Sequence, residues 1–184
     1  MQAPSGHTTT PTVHALLAGG ALAGEWILDP GKSSVQLKSG VLGGLIRVNG
    51  VFRDVSGSGT VSPDGQVSGT FTVAAASVDT KQAKRDTHLR SADFFDTGNH
   101  PDITFSVDGI RPSGQGAEVT GALTVRDRTQ PLSFAAAATA PGDGEIWLDA
   151  KVHINRSDFG LSWNFLGMVS MDNTLTIHAV FTRR

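Results

Sequence analysis

The 184-residue chain contains no cysteine. That excludes disulfides, thiolate zinc sites, iron–sulfur clusters and a cysteine nucleophile. Charge is scarce as well: charged residues are 17% of the chain, and the formal net charge is −2. Nucleic acid calls for a basic patch or stripe; none is signalled, so no nucleic-acid partner is expected. No apolar run approaches the ~18 residues of a membrane-spanning helix, so no integral membrane segment is expected. The apolar stretch Ala15–Ala23 ends in Ala-Leu-Ala but is broken by Gly19-Gly20, and no Lys or Arg precedes it, the first being Lys32. A secretory signal places a basic region before its apolar core, so a cytoplasmic location is expected.

Signatures of chemistry are equally sparse. There is no Gly-x-Ser-x-Gly elbow. His7, His14, His88, His100, His153 and His178 show neither His-x-His nor His-Glu-x-x-His spacing, so neither a metal site nor a cofactor is expected. Gly57–Gly59 and Gly114–Gly116 do not link a strand to a helix, as a phosphate cradle requires, and read as hairpin turns. The densest polar cluster is Arg85, Asp86, His88, Arg90, Asp93 and Asp96. Asp86 or Asp93 beside His88 has the makings of a general base, but no companion nucleophile or electrophile is signalled. A capped, ion-paired surface helix accounts for the same residues. His153 and His178 fall on the polar phase of strands and read as exposed or cross-strand residues.

What the chain does have is glycine, 22 residues, and period-2 alternation from about Trp26 onward. Val67, Gly69, Phe71, Val73 and Ala75 share one face. So do Ile103, Phe105 and Val107; Val119, Gly121, Leu123 and Val125; and Leu132, Phe134, Ala136 and Ala138. Ile146–Ile154 and Leu175–Phe181 continue the pattern, and Ser34–Lys38 and Leu45–Asp54 complete about eight strands. Pro63-Asp64-Gly65, Pro112-Ser113-Gly114 and Pro141–Gly144 mark short turns. A meander with one apolar face must bury that face, either by closing into a barrel or as a sandwich. Thr80–Phe95 breaks the period and reads as a helix with Thr80 as N-cap, an Asp86–Arg90 pair at i, i+4, and Leu89, Ala92 and Phe95 on one side. Such a helix would cover one end. Gly43-Gly44 and Trp163–Met168 read as a lid, rim or subunit contact. Residues 1–24 read as a flexible N-terminal arm and 25–184 as the folded domain.

The inner phase is rich in small residues: Gly69, Ala75, Gly121, Ala136, Ala138, Ala150 and Ala179. An eight-stranded barrel is just wide enough for side chains to fill it or for one small ligand. Small residues leave an apolar void unless Phe71, Phe105, Phe134 and Phe181 fill it.

Four stretches carry a resemblance to the YceI family of polyisoprenoid-binding, lipid-binding-like proteins. They are Glu25–Pro30 with Ser33-Ser34-Val35; Ser77–Thr80 with Arg85–Asp96 and Pro101–Phe105; Gly121–Arg126 with Thr129–Leu132; and Asn155–Leu161. Together they cover about residues 25–184. The resemblance implies an all-β fold: an eight-stranded antiparallel lipocalin-like β-barrel with one short helix covering an end. It also implies an apolar tunnel for a long isoprenoid or quinone-like lipid, held for carriage, storage or sensing without catalysis, and a homodimer in many members. The tunnel residues so expected are Leu37, Phe52, Phe71, Val73, Phe94, Phe95 and Phe105. Leu123, Phe134, Leu148, Phe159, Trp163 and Phe165 complete the set. Arg85, Asp86, Asp93 and Asp96 would fix the helical plug, Phe94 and Phe95 would anchor it, and Arg156 and Asp158 would pair at the rim. The chain departs from the family at Leu37-Lys38-Ser39, where many members end the strand in Val-x-His, and at Asp127, where a turn glycine is common. Two alternatives remain open: an enzyme using a His88/Asp acid–base pair on an apolar substrate, and a ligand-free interaction or stress module whose barrel is filled by its own side chains.

Overall fold

The computed structural model describes residues 12–114, 116–142, 144–164 and 167–184. In chain order the elements are α1 (Val13–Ala18), β1 (Gly24–Leu28), β2 (Ser34–Val41), β3 (Ile46–Phe52), β4 (Val55–Val61), β5 (Val67–Ala74), β6 (Val78–Asp79), α2 (Ala83–Arg90), β7 (Asp102–Ser113), β8 (Gly116–Val125), β9 (Arg128–Gly142), β10 (Glu145–Asn155) and β11 (Val169–Arg183). Single 3-10 turns occupy Ala75–Ser77 and Arg156–Phe159.

The sheet runs β1-β4-β5-β7-β8-β9-β10-β11, and β11 returns to β1 with Trp26 opposite Arg183 and Leu28 opposite Phe181. This is a closed antiparallel barrel of eight strands, and closure leaves it no exposed edge. The remaining segments extend three of these strands past bends: β2 continues β1, β3 precedes β4, and β6 follows β5. The long β11 therefore pairs with β1 near its C-terminus and with β2 along Val169–His178. At the β1–β2 bend the ladder lacks a partner for Val180, and the Asp29–Ser33 stretch supplies it. Asp29 N donates to Val180 O (2.8 Å), and Ser33 Oγ accepts from Val180 N (3.0 Å). Backbone groups that a bend would orphan are thus satisfied.

Gly57–Gly59 is not a hairpin turn but the middle of β4, whose sequence Val-Ser-Gly-Ser-Gly-Thr-Val alternates strictly. Gly57 and Gly59 lie opposite Phe71 and Gly69 of β5. A Cβ on Gly57 would stand 3.0 Å from Thr70 O, and one on Gly69 would meet Ser58 O. These glycines serve close strand approach, so their local turn signal misleads.

Within the expected arm, residues 12–23 form a capped helix and a turn that pack on the barrel. Thr12 accepts from Ala15 N to cap α1, and Gly19 ends the helix. Val13, Leu16 and Leu17 recur on one face, as helical spacing requires. They pack on a second apolar cluster of Leu22, Trp26 and Val61, together with Val67, Ile146 and Phe181. Trp26 is only 3% exposed and donates Nε1–H to Leu22 O at 2.9 Å. This segment closes the barrel end that carries the β4–β5 hairpin. Residues 1–11 of the expected arm lie outside the described residues.

The opposite end is covered by α2, which is shorter than the sequence implied and capped differently. Gln82 precedes it without a side-chain cap bond. Thr80 is buried and donates its N–H (2.9 Å) and hydroxyl to Asp86 Oδ1. The expected Asp86–Arg90 pair does not form. Arg90 instead donates to Ala76 O (2.7 Å), in the preceding 3-10 turn, and to Val78 O (2.8 Å), in the two-residue β6. A strand that short leaves carbonyls without ladder partners, and the guanidinium satisfies them. In the β8–β9 hairpin the left-handed residue is Arg126 (φ 57°) rather than Asp127.

Candidate functional site

The barrel encloses one large apolar cavity of about 570 Å³, a volume typical of small-molecule sites. It runs from Val13, Leu17 and Leu22 beneath α1 to His88, Leu89 and Phe94 beneath α2. Of the expected tunnel residues, Leu37, Phe52, Phe71, Val73, Phe94, Phe95, Phe105, Leu123, Phe134, Leu148, Phe159 and Trp163 all line it. Phe165 lies outside the described residues.

Two ways of using small residues coexist inside the barrel. Gly121 lies under Phe105, whose ring would collide with a Cβ there, and Phe105 packs on Phe134 with centroids 5.5 Å apart. On that wall large and small side chains compensate. Ala136, Ala138, Ala150 and Ala179, from β9, β10 and β11, also line the cavity and take up little of it. Ala75 belongs to a 3-10 turn instead.

The α2 end is aromatic and basic. Phe95 packs edge-on against Phe52 at 5.9 Å, and both Phe94 and Phe95 are buried, so both anchor the plug. His88 stands edge-on to Trp163 (4.4 Å) and to Phe94 (5.3 Å). Beneath them Arg156, 6% exposed, stacks over the Phe94 ring at 5.5 Å. The expected Arg156–Asp158 pair is not made. Arg156 donates instead to the carbonyls of Ser170 (2.9 Å), Leu161 and Val169 (3.4 Å). Burial pushes the guanidinium pKa down from its ordinary value, because low polarity disfavours the charged form.

The other polar residues of the plug form short local ties. Arg85 donates to Thr80 Oγ1 (2.7 Å) and Thr80 O (2.8 Å), and Asn99 donates to Asp96. His88 meets Asp93, not Asp86, at 3.2 Å. The imidazole thus has a carboxylate partner and packs edge-on against two aromatic rings. Among the described residues no group of three or more His, Cys, Asp or Glu is arranged to hold a metal ion. His153 and His178 are cross-strand residues, bonded to Thr174 (3.2 Å) and Asp149 (2.6 Å).

The lining also contains residues that alternation did not reveal. Val13, Leu17 and Leu22 come from the segment read as an arm. Lys84, Arg85, Asn173 and Arg156 supply polar lining at or near the α2 end. The sequence signal for Arg156 is the turn it opens: Gly160 has φ 73° and returns its N–H to Ser157 O, folding Asn155–Leu161 so that the arginine points inward.

Residues 26–181 match the YceI-like domain family. Protein YceI of Escherichia coli O17:K52:H18 is 32% identical over 136 residues, 70% of each chain. Among solved structures, BcnA of Burkholderia cenocepacia superposes with a TM-score of 0.75 at 23% identity, covering 83% of this chain and 98% of that one. A polyisoprenoid-binding domain from Saccharophagus degradans superposes with a TM-score of 0.70 at 16% identity, covering 86% and 98%. With the closed barrel and the plug motif already in place, the match over nearly all of the barrel establishes that this chain belongs to the YceI-like family.

Proposed function

We propose that the barrel binds a long apolar lipid of isoprenoid or quinone type and holds it for carriage or storage, without transforming it. The observation that carries this reading is the continuous cavity of about 570 Å³ that runs between the two covered ends. An apolar void is poorly served by water and favours an apolar guest. Burial at about 25 cal/mol per Å² supplies the affinity. A cavity that runs from beneath α1 to beneath α2 suits a flexible chain better than a compact ring system. The fold shared with a polyisoprenoid-binding domain supports the same ligand class. The reading does not call on His88–Asp93 as an acid–base pair, because aromatic packing explains the position of the imidazole.

The test is to purify the full chain, extract it with organic solvent and identify the released lipid by mass spectrometry. A prenyl-chain lipid at close to one per barrel is expected. Ala138→Trp, which places an indole in the cavity, should lower that occupancy several-fold in a folded protein. Extracts without lipid, from a protein that also fails to take up added farnesol, would remove the reading.

A further inference from the structure

The exterior carries its apolar exposure in one place. Leu42 (42% exposed), Leu45 (87%) and Ile46 (51%) stand together at the tip of the β2–β3 hairpin, where Leu42-Gly43-Gly44-Leu45 turns between the paired Val41 and Ile46. Folding does not call for these side chains there. Leu42 holds φ 55°, beside Gly43 at 65° and Gly44 at 92°, a region that favours glycine. Its one tie to the fold is a backbone N–H donated to Met168 O at 2.7 Å, which any residue but proline supplies. A leucine that is both left-handed and exposed costs stability on two counts, and such strain gathers at functional segments. The tip stands beside the α2 end. Val41 lies opposite Val169, Val169 O accepts from Arg156, and Arg156 stacks over Phe94 of the plug. Val41 and Val48 of the same hairpin line the cavity. Ile46 lies opposite Val41, so one apolar face runs from the cavity wall out into solvent. Three cations accompany it: Lys38 and Arg47 on the outer phase of the hairpin, and Lys84 one turn before His88 on α2. All three are exposed, and none makes an ion pair among the described residues. Of the carboxylates at this end, Asp79, Asp93 and Asp172 are engaged by Arg53, His88 and Asn155.

We propose that the β2–β3 tip docks on the surface of an anionic lipid bilayer. Leu42, Leu45 and Ile46 enter the head-group region, and Lys38, Arg47 and Lys84 meet the negative charge around them. Apolar insertion combined with attraction to anionic lipid is how peripheral proteins hold a membrane, and long basic side chains keep their charge at the surface while their stems follow the apolar part. A protein partner fits less well. The three apolar residues together expose less than two whole residues, whereas a stable protein interface takes roughly 20–30 residues a side. A bilayer asks for no such area and no complementary shape. Docking at this tip sets the α2 end against the membrane, where a lipid passing between bilayer and barrel would cross. The proposal goes beyond the lipid-binding reading, and docking itself does not depend on a filled cavity.

The test is co-sedimentation of the full chain with vesicles of phosphatidylcholine alone and of equal parts phosphatidylcholine and phosphatidylglycerol. The anionic vesicles should bind the chain more than about tenfold better, as three cations near a charged surface imply. Leu45→Ser should weaken that binding by about tenfold, and Arg47→Gln by about fivefold. Both side chains are exposed, so neither change should lower the urea midpoint. Leu42→Gly separates docking from folding: it relieves the left-handed leucine, so the urea midpoint should hold or rise while vesicle binding falls several-fold. Failure to sediment with either vesicle, or full binding by Leu45→Ser, overturns the docking surface. So does a dimer that Leu45→Ser splits without loss of vesicle binding, which would assign the tip to a second copy of this chain. Lipid extracted from the barrel is measured on the same preparations. Its presence in a chain that ignores vesicles sinks the docking and leaves the lipid-binding reading standing. Vesicle binding by a chain with an empty barrel supports the docking and counts against that reading alone.

Discussion

The two ends of this barrel are closed by opposite means. At the α1 end the closure is apolar: Leu16, Leu17 and Leu22 pack on Trp26 and Val61. Polar contacts there are few: Trp26 Nε1–H donates to Leu22 O at 2.9 Å, and the Arg183 guanidinium lies over the Trp26 ring at 5.0 Å. At the α2 end the closure is a web of hydrogen bonds, with Asp86 on Thr80, Arg90 on Ala76 and Val78, and Arg156 on Ser170, Leu161 and Val169. Apolar burial is non-directional and unscreened, whereas buried polar ties depend on every partner being present. One end is therefore held by area and the other by complementarity. Only the second carries groups able to recognise a polar ligand atom.

The comparison is broken most severely at the α1 end by Trp26→Ala. Removing a buried indole should cost about 3–5 kcal/mol, read as a lower urea midpoint. It should also release the α1 segment to proteolysis within residues 12–23. The loss should not change with salt, because apolar burial is not screened. At the α2 end Asp86→Ala leaves the buried Thr80 N–H without its acceptor and should cost about 1–3 kcal/mol in the same measurement. A loss as large as that of Trp26→Ala would show that the polar web, not the apolar cluster, dominates stability.

The smallest effect belongs to the exposed rim of the α2 end. The Lys81 backbone N–H and then the Arg53 guanidinium hold the Asp79 carboxyl down at about 2, from an ordinary 3.8. A carboxyl depressed on folding stabilises the native state above its unfolded pKa, and that contribution is lost as pH falls through the folded value. Stability in acid titrations should therefore decline between about pH 4 and pH 2 in part through Asp79. Asp79→Asn should flatten that limb slightly and leave the α1 end untouched. An identical acid limb in the variant would show that solvent screening cancels the tie.

Much of this was legible in the chain, for reasons that differ by element. β7, β8 and β10 bury one face and wet the other, so period 2 marked them directly. The tunnel aromatics Phe71, Phe105 and Phe134 followed from that phase. β4 was hidden because its inner residues are glycines, chosen by the approach of β5 and not by a turn. α1 was hidden because its apolar face is small and gains its meaning only from Trp26 and Val61. Thr80, Asp86 and Arg90 were marked as important by their motif, but their partners were misassigned. Local spacing proposed i, i+4 pairing, whereas the carbonyls of Ala76 and Val78 competed for the arginine.

The sequence by itself determined the apolar inner phase, the plug motif and the family, because alternation and motif spacing are one-dimensional properties. Only the tertiary structure decided that the small residues on β9, β10 and β11 line a cavity while Gly121 lies under Phe105, since that depends on which ring lies across the barrel. It alone decided, too, that Arg156 faces the cavity without a carboxylate. Charge pairing is settled by distances across strands, and the chain order of Arg156 and Asp158 gives no access to them.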